Sequence, residues 1–113
     1  MKTIDILTLG NVTEDINKIN NKVFKSIGGT SFYAYKVAKK LGYDLRIITE
    51  VSDSLDFSKK IDPKNIISQN TKLHTIFENT YKNGERNQKV LNPSGKIILK
   101  NLSQKLIKIN PKI

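Results

Sequence analysis

The adjacent glycines Gly28 and Gly29 are the sequence feature that most limits how this chain can fold. Glycine adopts backbone angles that other residues avoid, and it has no side chain to keep a bound molecule away from the main chain. The residues that follow have the spacing of a helix with two different faces. One face is apolar, with Ala34, Val37, Ala38 and Leu41, and the other is basic, with Lys36, Lys39 and Lys40. We therefore expect a short helix that is capped by Thr30 or Ser31 and ends at Gly42. Its apolar face is expected to be buried.

Strand patterns lie on both sides of this predicted helix. An apolar run over residues 4–9 is closed by Gly10, and a run rich in β-branched residues covers residues 45–51. A strand, a glycine-led helix and a second strand indicate a crossover unit in a mostly parallel sheet, and hence an α/β fold. Ligands of such sheets bind beyond the carboxyl ends of the strands, where Gly10, Asn11 and the glycine pair would lie.

Two hairpins are predicted in addition. Weakly alternating segments flank a polar bend and indicate a small hairpin near residues 15–27. The pair Asn83-Gly84 lies between two alternating runs, which is a strong hairpin signal and predicts a second hairpin over residues 73–91.

The remaining segments are less regular. Residues 55–61 are expected to form two helical turns that end before Asp62-Pro63, and Ile66-Ile67 to form a third short parallel strand. Residues 92–95 have turn composition, and residues 96–109 are compatible with either strand or helix. Nothing divides the chain, so we expect residues 1–113 to form one small domain.

The composition excludes several kinds of site. The chain of 113 residues has no cysteine, which excludes disulfides and thiolate metal sites. Its single histidine, His74, leaves little for zinc binding or histidine-based acid–base chemistry and is expected to be an ordinary strand or surface residue. The sequence shows neither the apolar run of a signal peptide nor a membrane-spanning stretch, so we expect a cytoplasmic protein without a membrane partner.

The net charge of +10 raises the question of nucleic-acid binding. Residues 86–113 contain seven cations and no acid, whereas residues 1–85 contain thirteen cations and ten acids. Only two of the cations are arginines, and the basic segment lacks interleaved aromatic residues and the spacing of known DNA-binding motifs. Nucleic-acid binding is therefore the least favoured hypothesis.

The order of these features resembles the amino-terminal part of the ribokinase-like (PfkB) carbohydrate kinases. The similarity rests on the strand ending in Gly10, Asp15, the glycine pair leading a helix that closes on Leu41-Gly42, the strand over 46–51 and the hairpin over 75–91. It implies a partial ribokinase-like fold in which the hairpins near 15–27 and 73–91 correspond to the family's lid. Such kinases phosphorylate a hydroxymethyl group of a sugar, polyol or nucleoside with ATP and Mg²⁺.

The resemblance also implies roles for single residues. Asp15 would bind substrate hydroxyls, and Gly28 and Gly29 would leave room and backbone groups at the helix start. Asn11 is a polar group near the strand end, where a turn cap is the alternative to a ligand contact. Tyr33 stands where ribokinase-type members have asparagine, and Arg86 is a weaker candidate than the others because it has the character of a surface arginine.

The family's phosphoryl-transfer motif is not present in this sequence. In the family, a Gly-Ala-Gly-Asp turn supplies the catalytic base and the anion site, and none of the six glycines here opens such a turn. We therefore expect a single incomplete domain that binds no cofactor itself and pairs with a carboxyl-terminal kinase half, or forms a homo-oligomer through lid strands. The alternative is a non-catalytic α/β module that binds a small ligand or a partner chain.

Overall fold

The structure is a computed structural model that describes residues 2–93 and 95–113. The predicted turn at 92–95 includes Ser94, which lies outside the described residues. Nine strands and two α-helices are present in the described ranges: β1 Lys2–Ile4, β2 Ile6–Leu9, β3 Thr13–Ile19, β4 Lys22–Gly28, α1 Thr30–Leu41, β5 Leu45–Val51, β6 Ile66–Asn70, β7 Ile76–Lys82, β8 Glu85–Asn92, α2 Ser103–Leu106 and β9 Ile109–Pro111. No helix in these ranges is long and apolar enough to cross a membrane.

Parallel strands form what we call the core sheet. β2, β5 and β6 pair in the order β2-β5-β6, and β1 pairs with β9. The predicted strand over 4–9 is thus divided at Asp5, whose Oδ2 accepts a hydrogen bond of 2.8 Å from the Asp44 amide. The Leu7 amide donates to the Ile113 carbonyl at 2.7 Å, which continues the pairing begun by β9. Strands β5 and β6 confirm the predictions made for residues 45–51 and 66–67.

Both faces of the core sheet are covered, which explains why every residue of β5 is buried. On one face, Leu45 and Ile47 pack with residues of α1 and of the loop that follows β5. On the other face, Ile48 and Ile67 pack against Leu102, which lies in the 3₁₀ turn before α2. The undecided segment 96–109 therefore contains both helical turns and the start of a strand.

Helix α1 begins and ends at glycines. Gly29 is its N-cap with φ 97°, and no side chain caps the first turn, so the predicted caps Thr30 and Ser31 are wrong. Both hydroxyl residues lie inside the helix rather than before it, and only a residue before the helix can cap it. Gly42 ends the helix in the left-handed conformation with φ 82°, as predicted.

The buried face of α1 differs from the predicted one. Phe32, Tyr35 and Ala38 pack into the core, whereas Val37 and Leu41 are 60% and 66% exposed. The two aromatic side chains remove more apolar area from water than the aliphatic ones do, and they therefore determine which face turns inward.

The helix predicted over residues 55–61 is absent. Leu55 and Ile61 are buried, but the segment between them turns rather than winding into a helix. Asp56 Oδ1 accepts hydrogen bonds from the Ser58 amide at 3.0 Å and from its hydroxyl at 2.7 Å. The side chain thus satisfies a backbone donor locally, which is how aspartate competes with helix formation.

The two predicted hairpins are present and join into what we call the hairpin sheet. Its strand order is β4-β3-β7-β8, with antiparallel pairs at the outside and the parallel pair β3–β7 in the middle. Asn20, Asn21, Asn83 and Gly84 have positive φ at the two turns. This conformation is the one that tight hairpins require, and it is the reason that asparagine and glycine occur there.

Candidate functional site

A groove of about 580 Å³ lies where the core sheet meets the hairpin sheet. It is open at the carboxyl end of β2 and at the start of α1, and Phe77 of the hairpin sheet borders it. This is the end of a parallel sheet at which ligands bind in α/β folds. The groove is lined by Thr8, Leu9, Gly10, Asn11, Thr13, Gly29, Thr30, Ser31, Ala34 and Phe77.

The glycine pair is required by close approaches on both of its sides. A Cβ atom on Gly28 would fall on the carboxylate of Asp15. A Cβ atom on Gly29 would lie 2.5 Å from the carbonyl oxygen of Asn11, and the φ of 97° would strain any other residue. The absence of two side chains therefore allows β3, β4 and α1 to meet beside the groove.

Asp15 lies next to two residues that line this groove, Thr13 and Phe77, and does not line it itself. It is on β3, directly opposite Ser26 of β4 and Phe77 of β7. Its Oδ1 accepts a hydrogen bond of 2.8 Å from the Thr13 hydroxyl, and both Thr13 and Phe77 line the groove. The structure therefore brings Asp15, Gly28 and Gly29 together, as the sequence suggested.

Asn11 lines the groove, but its acceptor oxygen is used within the protein. Oδ1 accepts hydrogen bonds from the Glu50 amide at 2.8 Å and from the Thr49 hydroxyl at 3.4 Å. The same hydroxyl accepts the Val12 amide at 2.9 Å. These bonds link the segment before β3 to the end of β5. The oxygen of Asn11 is therefore not the predicted cap of a local turn, and its amide nitrogen is the group left to face a ligand.

Tyr33 and Arg86 are not brought to the groove. Tyr33 is 54% exposed on the outer side of α1, where its ring lies 5.5 Å from that of Phe32. Arg86 is exposed on β8 opposite Tyr81. It shares a sheet face with Asp15 but is four residues further along, roughly 13 Å at the usual strand rise. Neither residue lies at the groove in this structure, and the roles in substrate binding that the sequence suggested for them stay predictions.

A row of polar side chains on the face of Asp15 escaped the sequence analysis. Ser26 Oγ accepts from Asn17 at 2.9 Å, Asn17 accepts from the Asn79 amide at 3.1 Å, and Asn79 accepts from the Gln88 amide at 3.0 Å. The row crosses all four strands of the hairpin sheet, and Asn17 and Asn79 are buried. Asparagine is uncommon inside strands, so the single asparagine in each of β3 and β7 was the available signal.

The resolved pKa shifts lie away from this groove. The Arg46 guanidinium beside Asp44 holds the pKa of that carboxyl below its ordinary value and raises the pKa of Arg46. A hydrogen bond from the Asp44 amide lowers the pKa of Asp5. These residues lie at or before the amino end of β5, opposite to the groove, so the shifts report structural contacts.

No protein-family model and no curated protein matches the sequence. Among solved structures, the chain resembles a pyrophosphate-dependent kinase of the ribokinase family, in complex with a pyrophosphate analogue and myo-inositol (TM-score 0.70, 20% identity, 94% of this chain and 39% of that one). It also resembles a putative 2-keto-3-deoxygluconate kinase from Enterococcus faecalis (0.71, 10%, 96% and 39%). A third similar structure is an uncharacterized sugar kinase from Pyrococcus horikoshii in complex with ATP (0.68, 15%, 94% and 42%).

These similarities show the fold. The chain has part of the ribokinase-like fold, which confirms the predicted fold class, and it spans about two fifths of the length of the three kinases.

Proposed function

We propose that this chain, which has part of the ribokinase-like fold, is the substrate-side, amino-terminal part of a PfkB-type carbohydrate kinase. The complete enzyme would transfer a phosphoryl group to a hydroxymethyl group of a sugar, polyol or nucleoside. The observation that carries the proposal is the close packing of the Asp15 carboxylate against Gly28, next to the groove that Gly29 lines. The kinases that it resembles include one bound to myo-inositol, a compound rich in hydroxyl groups.

Asp15 has the chemistry that a polyhydroxyl ligand requires. An ionised carboxylate accepts several hydrogen bonds and can bind two neighbouring hydroxyls. The bond from the Thr13 hydroxyl fixes the orientation of Oδ1, and the missing side chain of Gly28 lets the carboxylate pack against the main chain at the end of β4. Under this proposal, the hairpin sheet is the lid that closes over the bound sugar and excludes water.

The phosphoryl-transfer groups would come from a second part of the enzyme. Phosphoryl transfer needs a base beside the accepting hydroxyl and donors for the charge on the moving group. We propose that a carboxyl-terminal kinase half supplies both, together with the site for ATP and Mg²⁺. The three similar kinases are more than twice as long as the matched region, which leaves room for such a half. A homo-oligomer formed through the hairpin strands is the alternative partner.

Substitution of Asp15 tests the proposal. We expect Asp15→Asn to weaken binding of myo-inositol to this chain by roughly tenfold or more, because a hydrogen bond to a charged group contributes about 1.5–3 kcal/mol. The measurement is a titration in which amide NMR shifts report binding. A sugar, ribose, and a nucleoside, inosine, are titrated in the same way. Asp53→Asn removes an exposed aspartate and serves as the matched control.

The titration separates the alternatives. Shifts confined to the groove residues and lost in Asp15→Asn support the substrate-side assignment. Equal binding by both variants, or shifts elsewhere on the surface, would contradict it.

A further inference from the structure

We propose that His74 is a positioning residue that holds the hairpin sheet in place over the groove by linking it to the core sheet. The inference rests on the proposed function only because it treats the groove as a substrate site. The contacts of His74 themselves are all within the chain. The sequence had suggested an ordinary strand or surface histidine. Instead, His74 is 3% exposed and both of its ring nitrogens have hydrogen-bond partners.

The partners of His74 come from different sheets. Nε2 lies 2.9 Å from Glu14 Oε2 on β3 of the hairpin sheet. Nδ1 lies 2.5 Å from Ser52 Oγ, directly after β5 of the core sheet, and Ser52 Oγ lies 2.8 Å from Ser54 Oγ. We call the set Glu14, His74 and Ser52 the histidine link.

The chemistry of these groups fixes the tautomer. An ionised carboxylate can only accept, so the nitrogen that faces Glu14 must carry the proton. In the neutral ring Nδ1 is then an acceptor, and the Ser52 hydroxyl donates to it. Ser54 in turn donates to Ser52. Every polar group of the link has a partner in this arrangement, which agrees with the lack of unsatisfied buried side-chain atoms in the described ranges.

The histidine side of the link belongs to the base of the hairpin sheet. The Glu14 amide donates to the Thr75 carbonyl at 3.0 Å, and Asn92 Nδ2 donates to the His74 carbonyl at 2.6 Å. These bonds join β3, the segment before β7 and the end of β8 into one unit. The bond between His74 and Ser52 therefore crosses from that unit to the core sheet.

The link lies directly behind the candidate ligand residue. Glu14 and Asp15 are consecutive on β3, so their side chains point to opposite faces of the sheet. A contact that fixes Glu14 on one face of β3 therefore also fixes the position of Asp15 on the opposite face. His74 also precedes Phe77, the hairpin-sheet residue that borders the groove, by only three positions.

A second connection between the sheets shows why one link matters. The bonds from Asn11 and Val12 to the end of β5 hold the strand that enters the hairpin sheet. The chain also passes from β4 into α1 at Gly28-Gly29, so the histidine link adds a further attachment, through the face of β3 opposite Asp15. The other contact of Glu14 is an exposed pair with Lys25 at 3.6 Å within the hairpin sheet, which adds little.

The test combines NMR of a single histidine with distance measurements on a chain that lacks cysteine. In the untagged protein, ¹⁵N shifts of the His74 ring report the tautomer without overlap, and we expect a proton on Nε2. Spin labels on Asn83→Cys, at the tip of the hairpin sheet, and on Lys40→Cys, on the outside of α1, report the angle between the sheets. We expect one narrow distance distribution.

Variants then separate positioning from folding. His74→Leu should broaden the distance distribution and weaken myo-inositol binding roughly tenfold, because a displaced ligand group loses its geometry. His74→Gln should restore a narrow distribution, since its amide can donate to Glu14 and accept from Ser52. Ser52→Ala removes only the core-sheet partner and should broaden the distribution even if His74→Leu fails to fold.

The outcomes are distinct. A proton on Nδ1, or narrow distributions in both His74→Leu and Ser52→Ala, would overturn the proposal. The distance measurement uses no ligand, so it can succeed while polyol binding fails, in which case only the proposed function is lost.

Discussion

At the scale of single residues, Asp44 and Arg46 form the best-defined ion pair of the chain. Arg46 is buried, and its Nε and Nη2 donate to the two carboxylate oxygens of Asp44 at 2.8 and 3.1 Å. Its Nη1 donates to the Lys64 carbonyl at 2.8 Å. Each of the three guanidinium nitrogens therefore donates a hydrogen bond, and loss of Asp44 would leave a buried charge without its main partner.

This pair predicts a pH-dependent stability. The pKa of Asp44 is lowered in the folded protein, mainly by the hydrogen bonds from Arg46. Its stabilising contribution is therefore complete above the ordinary value of 3.8 and is lost as the pH falls through the lower folded value. We expect Asp44→Asn to reduce the free energy of unfolding by roughly 1–2 kcal/mol at neutral pH, after allowance for its partial exposure.

Urea unfolding at neutral pH and near pH 3 checks this prediction. The difference between wild type and Asp44→Asn should shrink at the lower pH, because Asp44 is then protonated in a larger fraction of unfolded chains than of folded chains. A difference that stays constant would mean that the ion pair is not its source. Other carboxyls, including Asp5 and Asp56, also have lowered pKa values, so only the difference between the two proteins is informative.

At the scale of elements, neighbouring positions of α1 differ sharply in burial. Ala38 is 4% exposed and packs in the main core cluster, whereas Val37 is 60% exposed. We expect Ala38→Lys to reduce the free energy of unfolding by about 3 kcal/mol or more, because it places a long charged side chain in a packed core. Val37→Lys should change it by no more than about 0.5 kcal/mol, as for most surface substitutions.

Thermal or urea unfolding of the two variants measures this contrast. A large loss of unfolding free energy in Val37→Lys would mean that Val37 lies on the buried face of α1, as the apolar spacing predicted. Equal losses would mean that both faces of α1 are covered in solution, for example by a second chain.

The elements that sequence predicted are those whose signals are local. The hairpins follow from alternation and from asparagine and glycine at the turns, and β5 follows from a run of β-branched residues. The face of α1 was predicted wrongly because both faces contain apolar residues, and the larger apolar area of Phe32 and Tyr35 prevails over the aliphatic spacing. The missing helix over 55–61 reflects a local bond of Asp56 that competes with an apolar pattern.

The candidate site was likewise predictable only where its sequence signals are local. Gly28 and Gly29 were singled out because paired glycines have few alternative uses before a helix, and Asp15 was singled out through the resemblance to the PfkB kinases; their roles in binding stay predictions. The histidine link was not, since Glu14, Ser52 and His74 are far apart in sequence and meet only through the pairing of β3 with β7.

At the scale of the whole molecule, the hairpin sheet projects from the core. The radius of gyration is 15.3 Å, compared with about 13 Å for a compact domain of this size. All residues of β5 are buried, whereas all but the last two residues of β4 and the last residue of β8 are exposed. The two sheets therefore differ in how much packing protects them.

Amide hydrogen exchange should show this difference. We expect the amides of β5 to exchange most slowly and those of β4 and β8 to exchange fastest among the strands, since opening the outer strands exposes little apolar surface. Equal protection of both sheets would indicate that a second chain covers the hairpin sheet in solution.

The pairing of β1 with β9 has a consequence for the order in which the chain acquires structure. Lys2 lies beside Ile109, and Leu7 bonds to Ile113, so the core sheet joins the two ends of the sequence. Closing so long a loop is slow, whereas each hairpin closes within a few residues. We therefore expect the hairpins to form before β1 pairs with β9, and during synthesis β1 cannot make this pairing until β9 has been added to the chain.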